Sequence, residues 1–101
     1  MIVKFFDEHI KQFIRGLAMP TSAKIFRTLE LLERFGHMLS MPHSKHITGR
    51  LFELRVRGVQ EVRLIYTFRK GMAVILHGFF KKSNKIPRKE IDLVHQKLST
   101  L

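Results

Sequence analysis

Four basic residues stand where their side chains can act together: Arg55, Arg63, Lys81 and Lys82. Arg55 and Arg63 flank a turn centred near Gly58-Val59, so a β-hairpin over this stretch places them almost opposite each other. Two guanidinium groups side by side repel unless an anion joins them. Arginine suits that task because its planar fork matches a phosphate with two parallel hydrogen bonds. Lys81 and Lys82 follow an apolar run, where a strand ends beside a loop, and add charge to hold a phosphate. Glu53 and Glu61 are the only acidic residues between Arg50 and Lys89, a stretch that carries 11 of the chain's 19 Lys and Arg. Either carboxylate could pair with an arginine or accept a proton.

Tyr66 and His77 are the other proton-transfer candidates. Strand parity groups Tyr66 with Leu64 and Phe68, away from Arg63, which suits a core tyrosine better than a catalytic one. His77 shares a face with Phe79 and Lys81 and is placed to touch a bound strand. Phe79 offers a ring for stacking a base, although strand aromatics usually serve the core. Arg50, Arg57 and Lys85 extend the basic surface as RNA-binding candidates. An antiparallel sheet has a polar side by default, and lysines guard its edges. The regional clustering and the preponderance of arginine favour phosphate contacts instead.

The chemistry open to such a surface is limited and specific. RNA carries its own nucleophile, the 2′-hydroxyl, which can attack the adjacent phosphate. The protein then has to align that hydroxyl, stabilise the charge at phosphorus and manage two protons. Arginine supplies charge but cannot act as a base.

The elements that must position these residues are readable in outline. Ile2–Phe6 is a short β-type run. Asp7 caps a first helix through Ile10, Phe13, Ile14 and Leu17, ending near Met19-Pro20. Thr21 or Ser22 caps a second, with Ile25, Leu29, Leu32 and Phe35 inward, Leu31 broadening that stripe and Gly36 closing it. So short a linker predicts an antiparallel helix pair. The irregular segment Met38–Gly49 reads as a loop. Three strands follow, at about 50–57, 61–69 and 72–80, joined by turns at Arg57-Gly58-Val59-Gln60 and Arg69-Lys70-Gly71 whose glycines can supply positive φ. A basic loop then leads to Pro87 and a last helix over about 88–98 with Ile91, Val94 and Leu98 inward. The order β-α-α-β-β-β-α is a two-layer α+β fold with a mostly antiparallel sheet, one domain over residues 1–101.

Composition narrows the function classes. The net charge of +11 on 101 residues attracts polyanions. There is no cysteine, hence no thiolate site or disulfide. His37, His43 and His46 have no carboxylate among them, so no metal or other cofactor is expected. Glycine-rich phosphate loops, nucleophile elbows and paired carboxylates are missing, which leaves protease, kinase and glycosidase readings unsupported. No apolar run is long enough to cross a membrane, and Met1–Asp7 becomes charged too early for a signal peptide. A cytoplasmic protein without membrane contact is expected.

Four blocks carry a family resemblance: Leu51-Phe52-Glu53-Leu54-Arg55, Val62-Arg63-Leu64-Ile65-Tyr66, Leu76-His77-Gly78-Phe79-Phe80-Lys81-Lys82, and Lys85-Ile86-Pro87-Arg88-Lys89-Glu90-Ile91. Over about residues 47–98 the chain resembles the RelE/ParE toxin superfamily, in particular its HigB-like, phage-derived Gp49-like branch. The resemblance implies a type II toxin that cuts mRNA in the ribosomal A site. It also implies a neutralising antitoxin, often with a helix-turn-helix domain, and a free toxin that is monomeric. It assigns a phosphate-stabilising role to Arg63, a strand-end basic role to Lys82 or Lys81, and the arginine of the "ELR" block to Arg55. Two lysines of the ribosome-dependent RelE group correspond to Leu51 and Glu53, and its C-terminal tyrosine has no counterpart near Ile86-Pro87, so no general base is assigned. A ParE-like inhibitor of DNA gyrase on the same fold and a non-catalytic nucleic-acid-binding module are the alternatives.

Overall fold

The computed structural model describes all 101 residues, Met1–Leu101. Its elements are β1 (Ile2–Phe5), α1 (Glu8–Arg15), α2 (Met19–Phe35), β2 (Ser44–Thr48), β3 (Leu51–Val56), β4 (Val62–Arg69), β5 (Met72–Phe80) and α3 (Arg88–Ser99), with a 3₁₀ turn at Gly36–Met38. They build an α+β fold around one five-stranded sheet ordered β1-β5-β4-β3-β2. β1 runs parallel to β5, and the other neighbours are antiparallel.

Alternation along β4 explains how the helices distribute. Val62, Leu64, Tyr66 and Phe68 face α1 and α2, where they meet Ile10, Ile14, Ile25, Leu29 and Leu32. Arg63 and Ile65 face the other way. On that side Ile65 joins Leu51, Val74, Leu76, Phe79 and Val94 beneath α3. α3 therefore adds a third layer over part of the sheet, while the expected two layers hold at the Arg63 end. A bulge between Ile65 and Tyr66 leaves Leu76 without a partner on β4 and turns it toward α3.

Asp7 caps α1, its carboxylate accepting from the Ile10 N–H at 3.2 Å. The same carboxylate pairs with Lys97 of α3 at 3.0 Å, and Lys97 also donates to the Leu76 carbonyl at 2.8 Å. Partial burial raises the Asp7 pKa, but the Lys97 bond, the Ile10 N–H and the positive charge of Lys97 outweigh this and leave it below the ordinary carboxylate value. A depressed folded pKa stabilises the protein above the unfolded pKa, and that contribution is lost as pH falls through the folded value. Asp7→Asn keeps a capping oxygen but drops the charge. Its deficit against the wild type should stay constant from neutral pH to about 4 and shrink below that. Denaturant midpoints measured across this range check it; a deficit that persists in strong acid would assign the effect to the cap alone.

Several expectations change in detail. α1 ends at Arg15 with Gly16 as its C-cap, four residues short of the expected end near Met19-Pro20. α2 starts at Met19 with Ala18 as N-cap, not at Thr21 or Ser22, and no side chain caps it. Pro20 lies in its first turn, where a missing N–H costs nothing, while Thr21 is buried and the Ser22 hydroxyl donates to the Met19 carbonyl. Phe35, expected inward, is exposed. The supposed loop Met38–Gly49 contains strand β2, paired to β3 with Ser44 opposite Leu54 and His46 opposite Phe52. Ile47 is the only aliphatic side chain in β2, so backbone pairing holds the strand, without an alternating apolar signal.

The two sheet turns differ. Lys70 and Gly71 both adopt positive φ, 50° and 75°, as a two-residue hairpin of this twist requires. Gly58 does not; a Cβ there would meet Lys24 Nζ at 3.3 Å, and Lys24 Nζ donates to the Arg57 carbonyl at 2.7 Å. Gly78 has a packing role as well. A Cβ on it would lie 2.9 Å from both Leu64 Cδ2 and Phe13 Cδ2, so the missing side chain lets α1 press onto β5. Gly78→Ala should cost about 1–3 kcal/mol through overpacking. A wild-type denaturation midpoint would show that Phe13 moves aside freely.

Candidate functional site

The pairing of β3 with β4 sets Arg55 directly opposite Arg63. Both project from the sheet face that α3 leaves uncovered at this end. Beyond β5, the Lys81 N–H donates to the Glu61 carbonyl at 2.9 Å. That bond holds Lys81-Lys82 beside the start of β4. The result is an open groove of about 310 Å³ lined by Arg55, Arg57, Glu61, Arg63, Lys81, Lys82, Ser83 and Asn84, with no apolar side chain among them.

Glu53 lies buried behind the two arginines and does not itself line the groove. Its side chain is 6% exposed, and one oxygen, Oε1, lies 3.5 Å from Arg55 Nε and 3.4 Å from Arg63 Nε. A single carboxylate oxygen thus sits between two guanidinium groups and offsets their repulsion. Arg63, 3% exposed at its side chain, also donates through Nη1 to Glu61 Oε2 and to the Val62 carbonyl, both at 3.1 Å. Arg55 Nη1 rests against Met41 Sδ at 3.5 Å. Neither Nε has good hydrogen-bond geometry toward Glu53, and these are the only two buried side-chain polar atoms in the protein without a hydrogen-bond partner. Buried donors in this state are costly to leave unmade. An anion entering the groove would find five cations, two of them pre-positioned.

The other candidates fall elsewhere. Arg57 lines the groove. Arg50 lies at the opposite end of β3, where its carbonyl accepts from Thr67 Oγ1 at 2.7 Å. Lys85 is exposed on the loop beyond Asn84 but does not line the groove. Phe79 is 7% exposed and packs beneath α3, so its ring is not free for a base. His77 stacks on Phe79 with ring centroids 5.8 Å apart, and its Nε2 lies 2.7 Å from Glu90 Oε2. Tyr66 is buried on the helix-facing side and hydrogen-bonds Ser44. Burial raises its pKa, and the Ser44 bond offsets only part of that. It has no access to the groove. No three His, Cys, Asp or Glu side chains converge as metal ligands; His46 bonds the Gly49 carbonyl at 2.8 Å, and His37 stacks on Phe68.

Sequence reasoning missed Glu90 as the partner of His77, since a contact between α3 and β5 leaves no local spacing. It also missed Ser83 and Asn84 in the groove wall. Their polar loop character was visible, but its folding against Glu61 was not.

Residues 12–99 match the family model described as Phage derived protein Gp49-like. The chain belongs to the Gp49-like family. That family is of the RelE/HigB toxin type and is associated with toxin–antitoxin systems, which implies an antitoxin partner. No curated protein matches the chain. No helix of this Gp49-like protein is long and apolar enough to cross a membrane.

Proposed function

We propose that this Gp49-like protein is a type II toxin that cuts messenger RNA on the ribosome, in the cytoplasm, using the RNA's own 2′-hydroxyl as nucleophile. The observation that carries the reading is the Arg55–Arg63 pair, whose two buried Nε atoms lack hydrogen-bond partners at the floor of an all-polar groove. The scissile phosphate enters there and takes its hydrogen bonds from Arg63, with Arg55 and Arg57 behind it. Charge building up at phosphorus meets donors already in place, so little reorganisation is needed during reaction.

The proton transfers fall to the groove's remaining groups. Glu61 is the one partly exposed carboxylate in the wall and pairs with Arg63 at rest. As the phosphate competes for Arg63, Glu61 is released to accept the 2′-hydroxyl proton. The 2′-oxygen forms a bond to phosphorus and the bond to the 5′-oxygen breaks. Lys81 or Lys82 gives that oxygen a proton; Glu61 then releases its proton to solvent and the lysine takes one back, so both groups return to their starting states. Glu53 stays buried as the counter-charge of the arginine pair. The ribosome supplies the alignment of the RNA that this small open groove lacks. The antitoxin, of helix-turn-helix type, silences the groove with an acidic segment over Arg55, Arg63 and Lys82.

Adding the purified protein to translating ribosomes tests the reading. Translation should stop, and ribosome-bound messages should be cut within codons. Intact messages in arrested cells, together with DNA damage and filamentation, would favour gyrase inhibition instead.

A further inference from the structure

Arg55 and Arg57 line a second groove as well as the first. This one, of about 320 Å³, passes over the end of β3 to α2, where Lys24, Arg27 and Thr28 form one wall and His43 part of the other. No Asp or Glu lines it. Arg27 is exposed and makes no ion pair or hydrogen bond within the protein. Lys24 spends one N–H on the Arg57 carbonyl at 2.7 Å and keeps the others free. Lys24 and Arg27 are three apart on one helix face, a like-charge spacing that weakens a helix. Arg57 adds a third cation across the gap. Such a cluster is unfavourable alone and favourable under a chain of phosphates.

We infer that the nucleic-acid path does not end at the Arg55–Arg63 groove but continues over β3 onto α2, where Lys24, Arg27 and Arg57 hold a neighbouring phosphate of the same single strand. The inference rests on reading the first groove as a phosphate site. Its role is positional: a second grip fixes the direction of the strand, and so which phosphate lies on Arg63. Arg27 carries the most information because it has no structural partner to lose.

The test uses the full-length protein and 2′-O-methyl RNA oligomers, which cannot be cut. Affinities for a three-nucleotide and an eight-nucleotide oligomer are measured over a range of salt. With Arg27→Ala, the preference for the longer oligomer should fall roughly tenfold, equivalent to about 1.4 kcal/mol. The slope of log affinity against log salt should drop by about 0.7, the value for one phosphate on a single strand. Arg27→Lys should keep the slope. An unchanged slope and length preference in Arg27→Ala, with Arg63→Ala still weakening binding, would overturn the second grip and leave the first groove standing. Oligomer binding that neither variant weakens would overturn both. If Arg27→Ala weakens binding of a polyglutamate peptide but not of RNA, the second groove serves an acidic protein segment and the nucleic-acid path is wrong.

Discussion

Arg63→Ala should lower the rate of message cleavage by roughly 10²–10³-fold, the usual cost of removing one pre-positioned donor to a developing oxyanion. Arg63 is 3% exposed, lies against Glu53 and bonds Glu61 and the Val62 carbonyl. Its side chain is therefore held before substrate arrives. Arg63→Lys keeps a charge but loses the fork, so it should recover part of the rate. Because Arg63 is buried, the variants' unfolding midpoints have to be measured on the same preparations. A folded Arg63→Ala protein with full cleavage would remove Arg63 from the chemistry.

Glu53→Ala should produce the largest change in stability, a loss of about 3–5 kcal/mol, because it removes the partner of a buried charge. Without the carboxylate, Arg55 and Arg63 face each other directly across the β3–β4 pair. Glu53→Gln should cost less, since it keeps the shape and an acceptor oxygen. Inorganic phosphate should restore part of the loss, by about 2.7 kcal/mol at one hundred times its dissociation constant. Denaturation with and without phosphate reads both effects. A Glu53→Ala protein as stable as the wild type would mean that its carboxylate does not neutralise the pair.

Much of this arrangement was legible in the sequence because β-structure has a period of two. The spacing of Arg55 and Arg63 about the turn located their pairing, and the parity of Tyr66 placed it on the core side. Pro20 shows where local reading falters, since proline both ends helices and opens them. Strand β2 escaped notice because its pairing is a backbone matter and Ser44-Lys45-His46-Ile47-Thr48 has no apolar alternation. The burial of Phe79 and the bond between His77 and Glu90 depend on where α3 lies across the sheet. Of the basic candidates, Arg57 reached the groove while Arg50 did not, because β3 separates them by six residues of extended chain.

The proposed chemistry cuts RNA with its own 2′-hydroxyl while the protein holds the phosphate. Analysis of the cut ends tests it most directly. Attack by the 2′-hydroxyl should leave a 2′,3′-cyclic phosphate on the upstream fragment and a 5′-hydroxyl on the downstream one. A single 2′-deoxy substitution just before the scissile phosphate should abolish cutting. A 5′-phosphate on the downstream fragment, or undiminished cutting of the deoxy-substituted message, would contradict it.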